Sequence, residues 1–122
     1  MNTALWVAQG LLAVIFLGAG SMKVFAFDRF AEQMDWAHEM GRQKVRGIGL
    51  AEIAGALGLV LPMALGIAEL LTPLAALGLA VVMALATAFH FRRGEMADVA
   101  RNVVILALVA FVAWGRWGLL AG

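Results

Sequence analysis

Gly47-Ile-Gly-Leu-Ala-Glu-Ile-Ala-Gly-Ala-Leu-Gly-Leu-Val-Leu61 places one acid, Glu52, inside an otherwise apolar, glycine-laced run. An ionised carboxylate in hydrocarbon is unfavourable by several kcal/mol unless it finds partners, so acids within membrane segments face a bundle interior. This run therefore asks for a helical bundle around it, with partners for Glu52 on the neighbouring helices.

The composition agrees. Of 122 residues, 64% are hydrophobic and only 14% are charged, against about 25% charged in soluble domains. The formal net charge of +1 gives no basic field for nucleic acid. The absence of cysteine excludes disulfides, thiol catalysis and cysteine-ligated metal clusters. The expected fold class is an all-α membrane protein: a four-transmembrane-helix bundle with a surface amphipathic segment between helices 1 and 2, forming a single domain over 1–122.

The expected spans are about 3–22, 47–68, 74–91 and 102–118, each near the roughly 20 residues that a bilayer crossing needs. The first lacks a basic leader and an Ala-x-Ala site, so it reads as a span rather than a signal peptide. Gly10, Gly18 and Gly20 offer room for close helix approach. Between about 28 and 40, Phe27, Phe30, Met34 and Ala37 keep helical spacing, while Asp28, Arg29, Glu32, Gln33, Asp35 and Glu39 cover the other side. Such a segment lies on the membrane surface or closes over the bundle as a lid. Asp28 is a candidate cap and Gly41 a candidate stop. Pro62 bends span two, and Gly94 stops span three in a short, charged connector from 92 to 101.

Lys23, Arg29, Arg42, Lys44, Arg46, Arg92, Arg93 and Arg101 all fall on the side where span one ends. Arg116 alone lies opposite, where it is expected to snorkel to the interface between Trp114 and Trp117. The positive-inside rule then makes loops 24–46 and 92–101 cytoplasmic and puts both termini outside. Trp6, Trp114 and Trp117 form an interfacial ring on the terminal side.

Helix order brings four polar residues to the cytoplasmic level, one per span. Lys23 ends span one, Glu52 lies about one and a half turns into span two, His90 is in the last turn of span three, and Asn102 is in the first turn of span four. They share a slab about 10 Å deep, from the 1.5 Å helical rise. These are the ligand-binding candidates; Gln9, Thr87 and Arg116 are secondary. Each has a structural reading too: an anchor for Lys23, an ion pair for Glu52, an interfacial ring for His90, a helix cap for Asn102, and for Gln9 and Arg116, which share the outer half, a hydrogen bond to each other. No catalytic residue is assigned. With only His38 and His90, and no third ligand beside His90 and Glu52, neither haem nor a metal site is expected.

The chain resembles the DoxX-like membrane proteins, small four-span proteins of bacteria and archaea. The resemblance rests on Phe16-Leu-Gly-Ala-Gly-Ser-Met-Lys23-Val-Phe25, on Gly49-Leu-Ala-Glu52-Ile-Ala-Gly-Ala-Leu-Gly-Leu-Val-Leu-Pro62, on His90-Phe-Arg-Arg-Gly-Glu95, and on Asn102 with Gly115-Arg116. It implies a four-helix bundle in the bacterial or archaeal cytoplasmic (inner) membrane. Its founding name belongs to a small subunit associated with an archaeal thiosulfate:quinone oxidoreductase, and related proteins are tied to quinone or oxidative stress and to membrane oxidoreductase assemblies. The expected function is a redox-linked subunit binding a quinone or similar lipophilic small molecule at the polar layer. The alternatives are an accessory or assembly subunit, with the surface segment 28–40 facing the partner and Phe30 and Met34 as the positions that test it, and a small-solute transporter. Whether the chain is an enzyme stays open. Expected partners are the lipid bilayer, a membrane oxidoreductase subunit or a second copy of the chain, and no nucleic acid; quinone is the one cofactor candidate.

Overall fold

The computed structural model describes residues 1–121 and is helical throughout, with no strand among them. Four long helices, α1 (Asn2–Phe25), α4 (Arg42–Leu65), α5 (Leu71–Arg92) and α6 (Met96–Gly115), are each long and apolar enough to cross a membrane. Two short helices, α2 (Phe27–Gln33) and α3 (Asp35–Met40), lie between α1 and α4, and a final turn, α7 (Gly118–Ala121), follows α6. The helices close a ring in which α1 packs on α4, α4 on α5, α5 on α6 and α6 back on α1. Leu12, Phe16, Leu59, Leu79, Val109 and Val112 form its buried centre.

Small residues set the helix spacing. A Cβ on Gly20 would lie 2.6 Å from the Gly49 carbonyl oxygen, and one on Gly49 would lie 2.8 Å from that of Gly20. The α1 and α4 backbones thus touch directly, the contact that glycine permits in membrane bundles. Gly10 and Gly18 face open space and take no part, so of the three span-one glycines only Gly20 serves close approach.

Pro62 lies within α4, one turn before its end. Lacking an N–H, it leaves the Gly58 carbonyl without its helical donor, and in a membrane that acceptor must be satisfied from elsewhere. Thr72 on α5 supplies the bond: its buried Oγ1 donates to Gly58 O at 3.0 Å. Replacing Thr72 by valine, near in shape but without the donor, is expected to destabilise the bundle by about 1–3 kcal/mol, the usual range for stranding a buried acceptor. Thermal unfolding in detergent measures it, with Thr72→Ser close to wild type.

The amphipathic segment is a lid. Asp28, Arg29, Glu32, Gln33, Asp35 and Glu39 are exposed, and Phe27, Phe30, Ala31, Trp36 and Ala37 turn down onto Val45 and Phe89. It is not one continuous helix. Met34 is extended (φ −128, ψ 96) and separates α2 from α3. In a straight helix Phe30 and Trp36 would point about 120° apart; the break re-aims α3 so that their rings meet edge-to-face at 5.5 Å. Asp28 makes no capping bond and pairs with Arg42 at 2.5 Å, while Gly41 ends α3 at a positive φ of 98.

Helix ends differ from the hydropathy boundaries where the chain leaves the apolar layer. α1 continues to Phe25, α4 starts at Arg42 rather than near 47, and α6 starts at Met96 rather than near 102. The α4 helix ends at Leu65 on a left-handed Gly66, ahead of the expected 68.

Candidate functional site

Beneath the lid, at the end of the bundle where the loops lie, is a chamber of about 560 Å³. Its apolar wall includes Phe16, Ala19 and Met22 from α1, Met83, Ala86 and Phe89 from α5, and Ile105 from α6; Phe30, Met34 and Trp36 form the roof. Lys23, Glu52, His90 and Asn102, one from each long helix, all line it.

Two of these four bond each other directly. Lys23 Nζ donates to Glu52 Oε1 at 2.5 Å, with 11% of the lysine side chain and 2% of the glutamate side chain exposed. The pair sits beside the backbone contact of α1 and α4, because Gly49, one turn before Glu52, packs against Lys23 Cβ. Lys23 also lies 5.8 Å from the centre of the Phe30 ring.

His90 does not reach Glu52. Its Nδ1 faces Glu95 Oε1 at 2.9 Å and Asp98 Oδ2 at 3.9 Å. A carboxylate only accepts, so in the neutral ring Nδ1 carries the proton and Nε2 presents a lone pair. The ring is held edge-on by Trp36 (5.3 Å, 89°) and by Phe89 (5.5 Å). Gly94, at φ 74, turns the chain so that the Glu95 amide donates to the His90 carbonyl and its side chain folds back over the imidazole. The His90 hydrogen bond, followed by Arg93, holds the Glu95 carboxyl below its ordinary range.

Asn102 is buried, 7% exposed, and its side chain makes no hydrogen bond among the described residues. It is not a cap. The residue before α6 is Glu95, and Asn102 sits in the second turn with its side chain at the chamber wall. Thr87 is not part of the site: its hydroxyl bonds back to the Met83 carbonyl at 2.7 Å, within its own helix.

Gln9 and Arg116 belong to a different cluster at the terminal end, with Gln9 about 21 Å from Lys23 along α1 by helical rise. Arg116 does not snorkel outward. It is 9% exposed; its Nε donates to Gln9 Oε1 and its Nη1 to Asn2 Oδ1, both at 2.8 Å. Gln9 Nε2 donates in turn to the Leu59 carbonyl at 2.5 Å, so the cluster ties α1, α4 and the end of α6 together. The buried Gln9 and the exposed Asn2 at the start of α1 accept from the arginine, and the Trp6 ring centre lies 5.6 Å from its guanidinium.

Sequence reasoning missed Trp36, Glu95 and Asp98. Trp36 falls off the apolar stripe of an unbroken helix. The two acids sit in a stretch that reads as a connector, although the spacing His90-x4-Glu95-x2-Asp98 across a glycine stop carries the signal.

A helical bundle with four helices long and apolar enough to cross a membrane, and a lidded apolar chamber lined by a few polar groups, defines a small multi-pass membrane protein. The chain belongs to the DoxX-like family, whose match runs over residues 7–112 and so takes in all four chamber residues. No curated protein and no solved structure matches the chain.

Proposed function

We propose that this protein binds a quinone, or a lipophilic ring of similar chemistry, in the chamber beneath the lid, as the ring-holding member of a redox-linked membrane assembly. One observation carries the reading: polar groups from all four long helices line one apolar chamber of about 560 Å³. That volume is within the roughly 300–1,000 Å³ of small-molecule sites, and a few convergent polar groups in an apolar wall are what orient such a ligand. The Asn102 amide, without a partner of its own, donates to one ring carbonyl. His90 and the Lys23–Glu52 pair flank the ring, and Glu52 or His90 gives or takes a proton when the ligand changes protonation state.

The cation distribution supports a chamber on the cytoplasmic side of the inner membrane, with both termini outside. For the assembly-subunit alternative, the partner-facing part of the segment from 28 to 40 is its exposed polar side, because Phe30 is buried and Met34 is part of the chamber roof.

The test is titration of a short-tailed quinone into purified protein. Saturable binding is expected, with Asn102→Leu weakening it at least tenfold, about 1.4 kcal/mol, while leaving the melting temperature near wild type. A folded wild type that shows no saturable binding would falsify the proposal.

A further inference from the structure

The α5–α6 turn gathers three metal-ligating side chains, of which His90 lines the chamber and Glu95 and Asp98 lie outside its lining. The available donor atoms of His90, Glu95 and Asp98 all lie within 4.8 Å of one another. From these residues we infer a binding site for a divalent first-row transition-metal ion such as Zn²⁺ or Mn²⁺. One imidazole nitrogen with two carboxylate oxygens is a mixed donor set that suits these ions better than a soft monovalent ion.

The fold prepares this site in three ways. Its one nitrogen ligand is buried, 5% exposed, and its ring plane is set by the edges of Trp36 and Phe89. Asp98 is aimed from outside, because Arg101 Nη2 donates to its Oδ1, and Glu95 is held through Oε1, which accepts from Arg93 Nε at 3.0 Å and faces His90 with the same oxygen. Outer hydrogen bonds of this kind orient carboxylates around a cation. Asp98 Oδ2, the oxygen facing His90, has no hydrogen-bond partner among the described residues. Finally, the carboxylate side chains are 27% and 23% exposed, so the cation and its remaining waters have a path from solvent. The cation takes the place of the Nδ1 proton and moves the ring's hydrogen to Nε2. His90 then presents a donor rather than a lone pair to the chamber. That last consequence rests on the ligand reading above; the metal site itself does not.

The experiment is calorimetric titration of Zn²⁺ into metal-free purified protein, with Co²⁺ as a spectroscopic probe of the ligands. One saturable site per chain is expected, with visible Co²⁺ absorption displaced by Zn²⁺. Asp98→Asn and Glu95→Gln should each weaken binding at least tenfold, because removing a ligand exceeds the effect of removing its outer partner. Both positions are partly exposed, so these variants test the site even where His90→Ala does not fold. Asn102→Leu, on the chamber side, should bind Zn²⁺ as wild type does, which separates failure here from failure of the quinone reading. Absence of saturable Zn²⁺ binding, unchanged affinity in Asp98→Asn, or equally effective competition by Ca²⁺ overturns the inference, the last by reducing the cluster to an acidic patch.

Discussion

Gly49→Val is expected to lower the melting temperature by about 10 °C or more and to pull Lys23 away from Glu52. The size follows from what the new side chain meets. A Cβ at position 49 would lie 2.8 Å from the Gly20 carbonyl oxygen, 2.8 Å from Lys23 Cβ and 2.9 Å from Val24 Cγ2. Two of these atoms belong to, or sit directly on, the α1 backbone, so no rotamer change relieves the overlap. The helices must separate. Overpacking that moves backbone is unfavourable by about 1–3 kcal/mol or more, and each kcal/mol shifts the midpoint by roughly 4–8 °C in a domain near this size. Gly47→Val is the control, two residues earlier in α4 with nothing within 4 Å of its Cβ; it should melt close to wild type. Equal losses at the two positions would show that α4 needs glycine for some reason other than contact with α1. Because Lys23 and Glu52 face each other beside this contact, the same substitution should weaken chamber ligand binding.

The contrast between those two glycines shows where sequence reading stops. Hydropathy marks how long a segment stays in the bilayer, and that was enough to count four spans and to order their ends. The order alone put Lys23, Glu52, His90 and Asn102 at one level, where they line one chamber. Hydropathy does not mark where helices start. Arg42–Arg46 and Met96–Arg101 are charged yet helical, because a helix emerging into water satisfies its own backbone. That is why Asn102 looks like a cap from the sequence and is a buried wall residue in the fold. Rotation about each helix is likewise undetermined by composition: Gly18 and Gly20 look equivalent, and only Gly20 touches α4. The pairing of His90 with Glu95 and Asp98 depends on a turn at Gly94 that brings side chains back over the preceding helix, a tertiary effect that no periodicity reports. The shared outer half of Gln9 and Arg116 already offers their hydrogen bond, whereas Asn2 as the second acceptor, 114 positions away, is not legible.

Lys23→Met is expected to be the most destabilising of the single changes at the chamber, and pairing it with Glu52→Leu should undo most of the damage. Removing the lysine strands a carboxylate whose side chain is 2% exposed. Breaking one side of a buried ion pair is unfavourable by about 3–5 kcal/mol. The reverse change, Glu52→Gln, is milder. Lys23 is in the last turn of α1 with 11% of its side chain exposed, and a long cationic stem there can extend to the interface. In the double variant both charges are gone and two apolar side chains of similar volume fill the space, an exchange that is often neutral or stabilising. A double-mutant cycle on thermal or denaturant unfolding should therefore give a coupling of at least about 2 kcal/mol, within the range for contacting charged residues. Additive losses would mean that the 2.5 Å contact does not govern stability. The same double variant then divides structure from function, because it is expected to fold without the ion pair. If quinone binding falls at least tenfold in a protein as stable as wild type, the pair acts on the ligand. If binding is kept, Glu52 and Lys23 serve to clamp α1 to α4, and recognition belongs to His90 and Asn102 on the opposite wall.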